Sequence, residues 1–275
     1  MRRERFGPAQ WLLLTLMALG ALAALFPFVW MFASATRPAS DVLALPPRWN
    51  IGSALLPNLR TLIEEGFLRA AFNSVFLAAV TTLLTLLLSA LGGYAMTGFK
   101  SRVGGILFGI ILLTLFVPAQ VTIIPVFKLL ADLHVLGTYW AVILPAIASP
   151  FALFYMRQGF LSFPQELAEA ARIDGANEWR VFWHIALPAV RPTLASLAVF
   201  VFLFQWNSYF WPLVVLNTPE SFTLPLFLNA LSTRNTVDYG ALMLGLSLAT
   251  LPVLLLFVFA RRLFTSAVLS GAVKG

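Results

Sequence analysis

The chain has 275 residues, 60% of them hydrophobic and only 11% charged, against about 25% charged in a soluble domain. With a mean hydropathy of +0.89 it reads as an integral membrane protein. The formal net charge is +7, the absence of cysteine excludes disulfides and thiolate chemistry, and His134 and His184 stand too far apart to suggest a histidine metal site.

Crossing a bilayer takes about 20 apolar residues. Six stretches qualify, near 11–33, 70–98, 104–126, 139–160, 190–216 and 240–264. The expected fold class is therefore all-α: a polytopic membrane protein with six transmembrane helices, read as one transmembrane domain over 1–275. The first stretch follows MRRER and precedes Ala33-Ser34-Ala35, which imitates a signal-peptide cleavage site. Its apolar run is longer than the roughly 7–15 residues of a signal core, so it is expected to be kept as a span. The second contains small residues suited to close helix packing. In the third, Pro118 and Pro125 interrupt the run; its end reads as an interfacial helix with Lys128, Asp132 and His134 on the polar side.

Polar residues inside apolar spans are functional candidates. Asn73, Gln120, Gln205 and Asn207 are the clearest, with Trp206 and Tyr209 as neighbouring aromatics whose faces suit sugar C–H surfaces. The competing reading is interhelical hydrogen bonding. On one continuous helix, at about 100° per residue, Gln205 and Tyr209 share a face while Trp206 and Asn207 point elsewhere. Trp140 and Trp211 read as interface anchors. No span centre holds an ionisable residue, which disfavours an ion-coupled secondary carrier.

Between the fourth and fifth spans lies the only long polar segment, 162–188, with Glu166, Glu169, Asp174, Glu178, Arg172 and Arg180. Ser162 and Gln165 suggest a capped helix start. Leu167, Ala170 and Ala171 share a face. Gly175 sits where a left-handed cap is wanted, and Asn177 can cap a second short helix carrying Val181, Phe182 and Ile185. Pro188 marks a break. An amphipathic hairpin lying on the membrane is the plain reading. The acidic cluster is wrong for anionic lipid, which selects Lys and Arg, and Ala170-Ala171 offers a flat surface to a protein.

Glu169-Ala170-Ala171, three residues, Gly175, nine residues and Ile185-Ala186-Leu187-Pro188 resemble the EAA loop of ABC importer permeases at every position. Asp174-Gly175-Ala176 is the form of the carbohydrate branch. Pro118 and Ile123-Ile124-Pro125 resemble the third span of the family, Trp206-Asn207 its fifth-span motif, and Ser270–Gly275 the tail of the maltose-permease G-type subunit. The resemblance implies a type I ABC importer permease: a heterodimer with a second permease subunit, an ATPase dimer below, and an extracytoplasmic solute-binding protein above. It implies that Glu169, Ala170, Ala171, Asp174, Gly175, Ile185, Leu187 and Pro188 couple to the ATPase, with Glu169 paired to a basic residue there. The chain has no GxxxxGK[ST] loop, so ATP and Mg are expected on the partner ATPase and no cofactor on this chain. The expected cargo is a di- or oligosaccharide, with glycerol 3-phosphate or a polyol as runner-up.

Orientation follows from the basic residues. With the N-terminus inside, twelve of the eighteen Lys and Arg face the cytoplasm and that face nets +7, against 0 outside. The basic pI, about 10.4, thus reflects topology and not nucleic acid. The expected location is a bacterial or archaeal cytoplasmic membrane, in contact with lipid, with both termini cytoplasmic.

Overall fold

The computed structural model describes residues 7–98 and 102–272, without the side chains of Val103 and of 260–272. Arg2, Arg3, Arg5, Lys100, Lys274, the side chains of Arg261 and Arg262, and the end of the tail at 270–275 therefore lie outside the described residues.

Among the described residues the chain is helical, with no strand. α1 (Pro8–Ser34) is followed by α2 (Ala39–Val42), α3 (Leu55–Glu64) and the long α4 (Phe67–Gly98). The third apolar stretch holds α5 (Arg102–Leu113) and α6 (Ala119–Asp132), and the fourth α7 (Tyr139–Ile147) and α8 (Pro150–Leu161). The polar segment forms α9 (Gln165–Ile173), α10 (Glu178–Val181), a π-helical turn Phe182–Ala186 and α11 (Leu187–Ala189). α12 (Arg191–Trp206), α13 (Phe210–Val215), α14 (Leu224–Ser232) and α15 (Tyr239–Ala272) follow. Three helices (α1, α4, and α15 over Tyr239–Phe259) are long and apolar enough to cross alone, and six spans result if each bent pair counts as one.

The bends have local causes. The α5–α6 pair turns by 107° at Pro118, before which Val117 is extended at φ −80°, ψ 118°; a proline ring denies helical geometry to the residue preceding it. Pro125, expected to interrupt as well, stays inside α6. The 42° bend between α7 and α8 falls at Ser149-Pro150, where Ser149 accepts the amide of Ala152 at 3.2 Å and proline occupies the first turn. The fifth stretch, expected as one helix over 190–216, is two: α12 stops at Trp206 and α13 begins at Phe210.

The chain divides into two compact units, Met1–Leu68 with Leu228–Pro252, and Arg69–Phe227 with Val253–Gly275. In the first, buried Asn58 donates to the carbonyls of Ala35 and Arg37, both at 2.8 Å. Arg37, only 2% exposed, donates to the Asn50 carbonyl at 2.9 and 2.6 Å and lies over the Trp30 ring. Arg234 grips Glu65 through both carboxylate oxygens at 2.6 and 2.7 Å.

The second unit has two apolar clusters. One gathers Tyr94 of α4, Met156 and Phe160 of α8, Val181 and Phe182, and Leu197 of α12. α4 and α8 touch at Gly93, where a Cβ would stand 2.9 Å from the Arg157 amide nitrogen; a side chain there would push the helices apart. The other cluster holds Leu77, Leu130, Val142, Ile143 and Val215.

Candidate functional site

Two regions of the second unit carry the residues singled out in the sequence. The first is the polar segment. α9 starts after Pro164, not at Ser162. Ser162 instead closes α8, donating to the Gly159 carbonyl at 2.7 Å, so the expected capping box does not form. Glu166 in the first turn and Arg172 in the last complement the helix dipole. Gly175 ends the arm in the left-handed region, φ 84°. Its amide donates to the Arg172 carbonyl at 3.0 Å and that of Ala176 to the Ala171 carbonyl at 2.9 Å, closing the helix in the manner of a glycine cap. Asn177 then accepts the Arg180 amide at 2.9 Å and starts the second arm.

The two faces differ from the pattern read in the sequence. Ala168 turns inward at 1% exposure, with Ala171 half-buried against the same cluster. Leu167, Glu169, Ala170 and Asp174 face outward, as do Ile173 at 86% exposure and Trp179 at 62%. Val181 and Phe182 are buried, as expected, with Ile185 and Leu187 partly so. Pro188 is half-buried in α11, just before the chain turns by 77° into α12. Large apolar side chains standing among charges on a short exposed helix suit a protein partner. No hydrogen bond or ion pair holds Glu169 among the described residues.

An ion pair crosses the bend. Arg172 donates Nε to Glu178 Oε1 at 2.7 Å and Nη2 to Oε2 at 3.3 Å. The hydrogen bond from Arg172 holds the Glu178 carboxyl below its ordinary pKa, and the same contact raises that of Arg172.

The second region is a cavity of about 830 Å³, within the size range of small-molecule sites. Gln120 and Thr122 of α6 contribute to its wall, with Gln205, Asn207, Ser208 and Tyr209 from the end of α12 and beyond. Phe200, Phe204, Phe210 and Trp211 supply aromatic surface, and none of the lining residues is charged. Gln205 is 7% exposed, and its Nε2 has no hydrogen-bond partner among the described residues. A buried donor left open faces a desolvation cost, which a ligand acceptor would relieve.

Because the helix stops at Trp206, Asn207 reaches the same cavity as Gln205 and Tyr209, where one continuous helix would have turned it away from their shared face. Asn207 also donates to the Leu203 carbonyl at 2.8 Å. Trp206 is buried elsewhere, stacked on Phe202. The structure does not bring Asn73 to the cavity. Its amide donates at 2.9 Å to the carbonyls of both Glu220 and Phe222 and accepts the Tyr139 hydroxyl at 2.6 Å, the interhelical bonding role. Trp211 donates to the Ala141 carbonyl at 3.0 Å as well as facing the cavity.

Sequence reasoning missed Thr122 and Ser208 in the wall. It named Arg172 and Glu178 only as charges, although opposite signs flanking a bend glycine were a usable signal. No group of three or more metal-ligating side chains occurs among the described residues.

Known proteins identify the family and the fold. The family described as "Binding-protein-dependent transport system inner membrane component" matches residues 87–270. The lactose transport system permease protein LacG of Rhizobium radiobacter is 39% identical over 261 residues, 94% of each chain. The arabinooligosaccharides transport system permease protein AraQ of Halalkalibacterium halodurans is 35% identical over 279 residues, the whole of both. In fold, the chain is similar to one in the crystal structure of a bacterial ABC transporter involved in the import of the acidic polysaccharide alginate. The TM-score is 0.81 at 23% identity, covering 94% of this chain and 98% of that one.

Proposed function

The chain belongs to the family of binding-protein-dependent transport system inner membrane components, and from that premise we propose that the solute it moves is an uncharged di- or oligosaccharide. As a member it is a multi-pass permease subunit of an ABC importer and not the ATPase of that system. The observation that carries the sugar assignment is the cavity. Its amides and hydroxyls can bond sugar hydroxyls, its aromatic faces suit the apolar faces of pyranose rings, and no cation lines it to meet a phosphate. This favours sugar over glycerol 3-phosphate. Relatives named for lactose and for arabinooligosaccharides are 39% and 35% identical, and one named for sn-glycerol-3-phosphate 32%, so it is the cavity that carries the choice.

In the proposed assembly a second permease subunit stands beside this one, an ATPase dimer carrying ATP and Mg docks on the cytoplasmic side, and a binding protein delivers the sugar outside. Both termini face the cytoplasm. The outward surface of 165–179, with Glu169, Ala170 and Ile173, seats the ATPase. Vesicles containing the complete complex test this: ATP inside and loaded binding protein outside should drive uptake of labelled oligosaccharide. Uptake of glycerol 3-phosphate with none of the sugar would overturn the cargo assignment.

A further inference from the structure

The polar segment is fastened to its unit at a point outside the motif. Tyr94 lies near the end of α4 and is 9% exposed. Its ring meets Phe160 of α8 edge-on at 5.6 Å and Phe182, the first residue of the π-helical turn, at 5.3 Å. Its hydroxyl donates to Glu178 Oε2 at 3.0 Å, the carboxylate that also takes Arg172 across the Gly175 bend. One side chain thus ties α4 to α8, to the second arm, and to the ion pair joining both arms. The neighbouring Gly93 seats α4 directly on the α8 backbone.

Close-packed side chains transmit displacement because they cannot be compressed. A packed ring alone resists being pushed but pulls weakly, whereas a hydrogen bond to a charged acceptor also resists separation. We propose that Tyr94 is a positioning residue for coupling: it makes α4 follow the 165–189 segment when the ATPase moves that segment. The assignment rests on the docking role given above to this segment.

The test uses the complete complex in vesicles, measuring ATPase stoichiometry and sugar taken up per ATP hydrolysed. Tyr94→Phe keeps the ring contacts and should retain the ATPase at normal stoichiometry. Uptake per ATP should fall about fivefold, the weight of one ordinary hydrogen bond, because the Glu178 acceptor is half-exposed and its charge is screened by solvent. A merely structural role would lower complex yield and leave that ratio alone. Should Tyr94→Phe assemble poorly, Glu178→Gln weakens the same link from the other side, and Arg172→Gln, which loses only the ion pair, is its control: uptake per ATP should fall further in Glu178→Gln than in Arg172→Gln, and equal ratios overturn the proposal. An unchanged ratio in the assembled variant overturns the proposal. Gly175→Val in the same assay separates the two assignments. If it is defective beside a normal Tyr94→Phe, only the role of Tyr94 is lost. If it is normal, the docking role itself fails.

Discussion

Gly175 offers a quantitative test of the polar segment. At φ 84° an L side chain costs about 1–2 kcal/mol, more for a β-branched one, for which this region is a true outlier. Among the described residues nothing lies within 4 Å of the position a Cβ would take, so the cost is one of backbone conformation. It falls on the turn that aligns α9 with α10. Since about 1.4 kcal/mol is a factor of ten, Gly175→Val should lower ATP hydrolysis stimulated by the binding protein about tenfold. Gly175→Asn enters the left-handed region readily and should stay within about twofold of the parent. The segment is exposed, so membrane insertion and yield should hold for both. Normal stimulation in the valine variant would refute the reasoning. So would equal damage from asparagine, which would mean that the partner excludes any side chain and that the backbone is not at issue.

Replacing Asn73 by Leu leaves two carbonyls and the Tyr139 hydroxyl without their amide partner; it should cost about 2–4 kcal/mol, seen as a lower thermal midpoint and complex yield, with uptake falling only in proportion. Gln205→Leu should raise the sugar concentration needed for half-maximal uptake while ATPase stoichiometry holds; unchanged uptake kinetics would remove Gln205 from the pathway. Glu169→Lys should release the ATPase from the purified complex at moderate salt, and full retention would count against its exposed carboxylate as a docking contact. The Glu65 carboxyl is held below its ordinary value of 4.5, chiefly by its hydrogen bond from Arg234. Its stabilisation is therefore present above that pH and is lost as pH falls through the lowered folded value. Being half-exposed, the pair should be worth below about 1 kcal/mol. Glu65→Gln should therefore lower the thermal midpoint slightly at pH 7 and match the parent in acid, and a difference growing toward acid would reverse the sign.

Much of this was legible in the sequence because membrane spans need only length and apolarity. The bend at Gly175 and the cap at Asn177 were legible because each depends on one residue and its immediate neighbours. What was not legible depended on competition. Ser162 could start α9 or finish α8, and local sequence does not rank the two; proline at 164 fixed the later start. The stop at Trp206 has no proline or glycine to announce it, so Asn207 and Tyr209 were assigned to helix faces that do not exist. The burial of Ala168 in place of Leu167 is set by the cluster around Phe182 and Met156, which only the tertiary structure supplies. Tyr94 was invisible for the same reason: its partners Phe160, Phe182 and Glu178 lie far along the chain.

The central claim is that the exposed face of 165–179 seats an ATPase in the cytoplasm. The chain has no cysteine, so a thiol introduced as Ala170→Cys is unique. In vesicles of defined orientation containing the whole complex, it should react with impermeant reagent only from the cytoplasmic side and cross-link to the ATPase subunit, with a yield that changes when ATP is added. Labelling from the outer side, or free labelling with no cross-link to the ATPase in an assembled, transporting complex, would contradict the account.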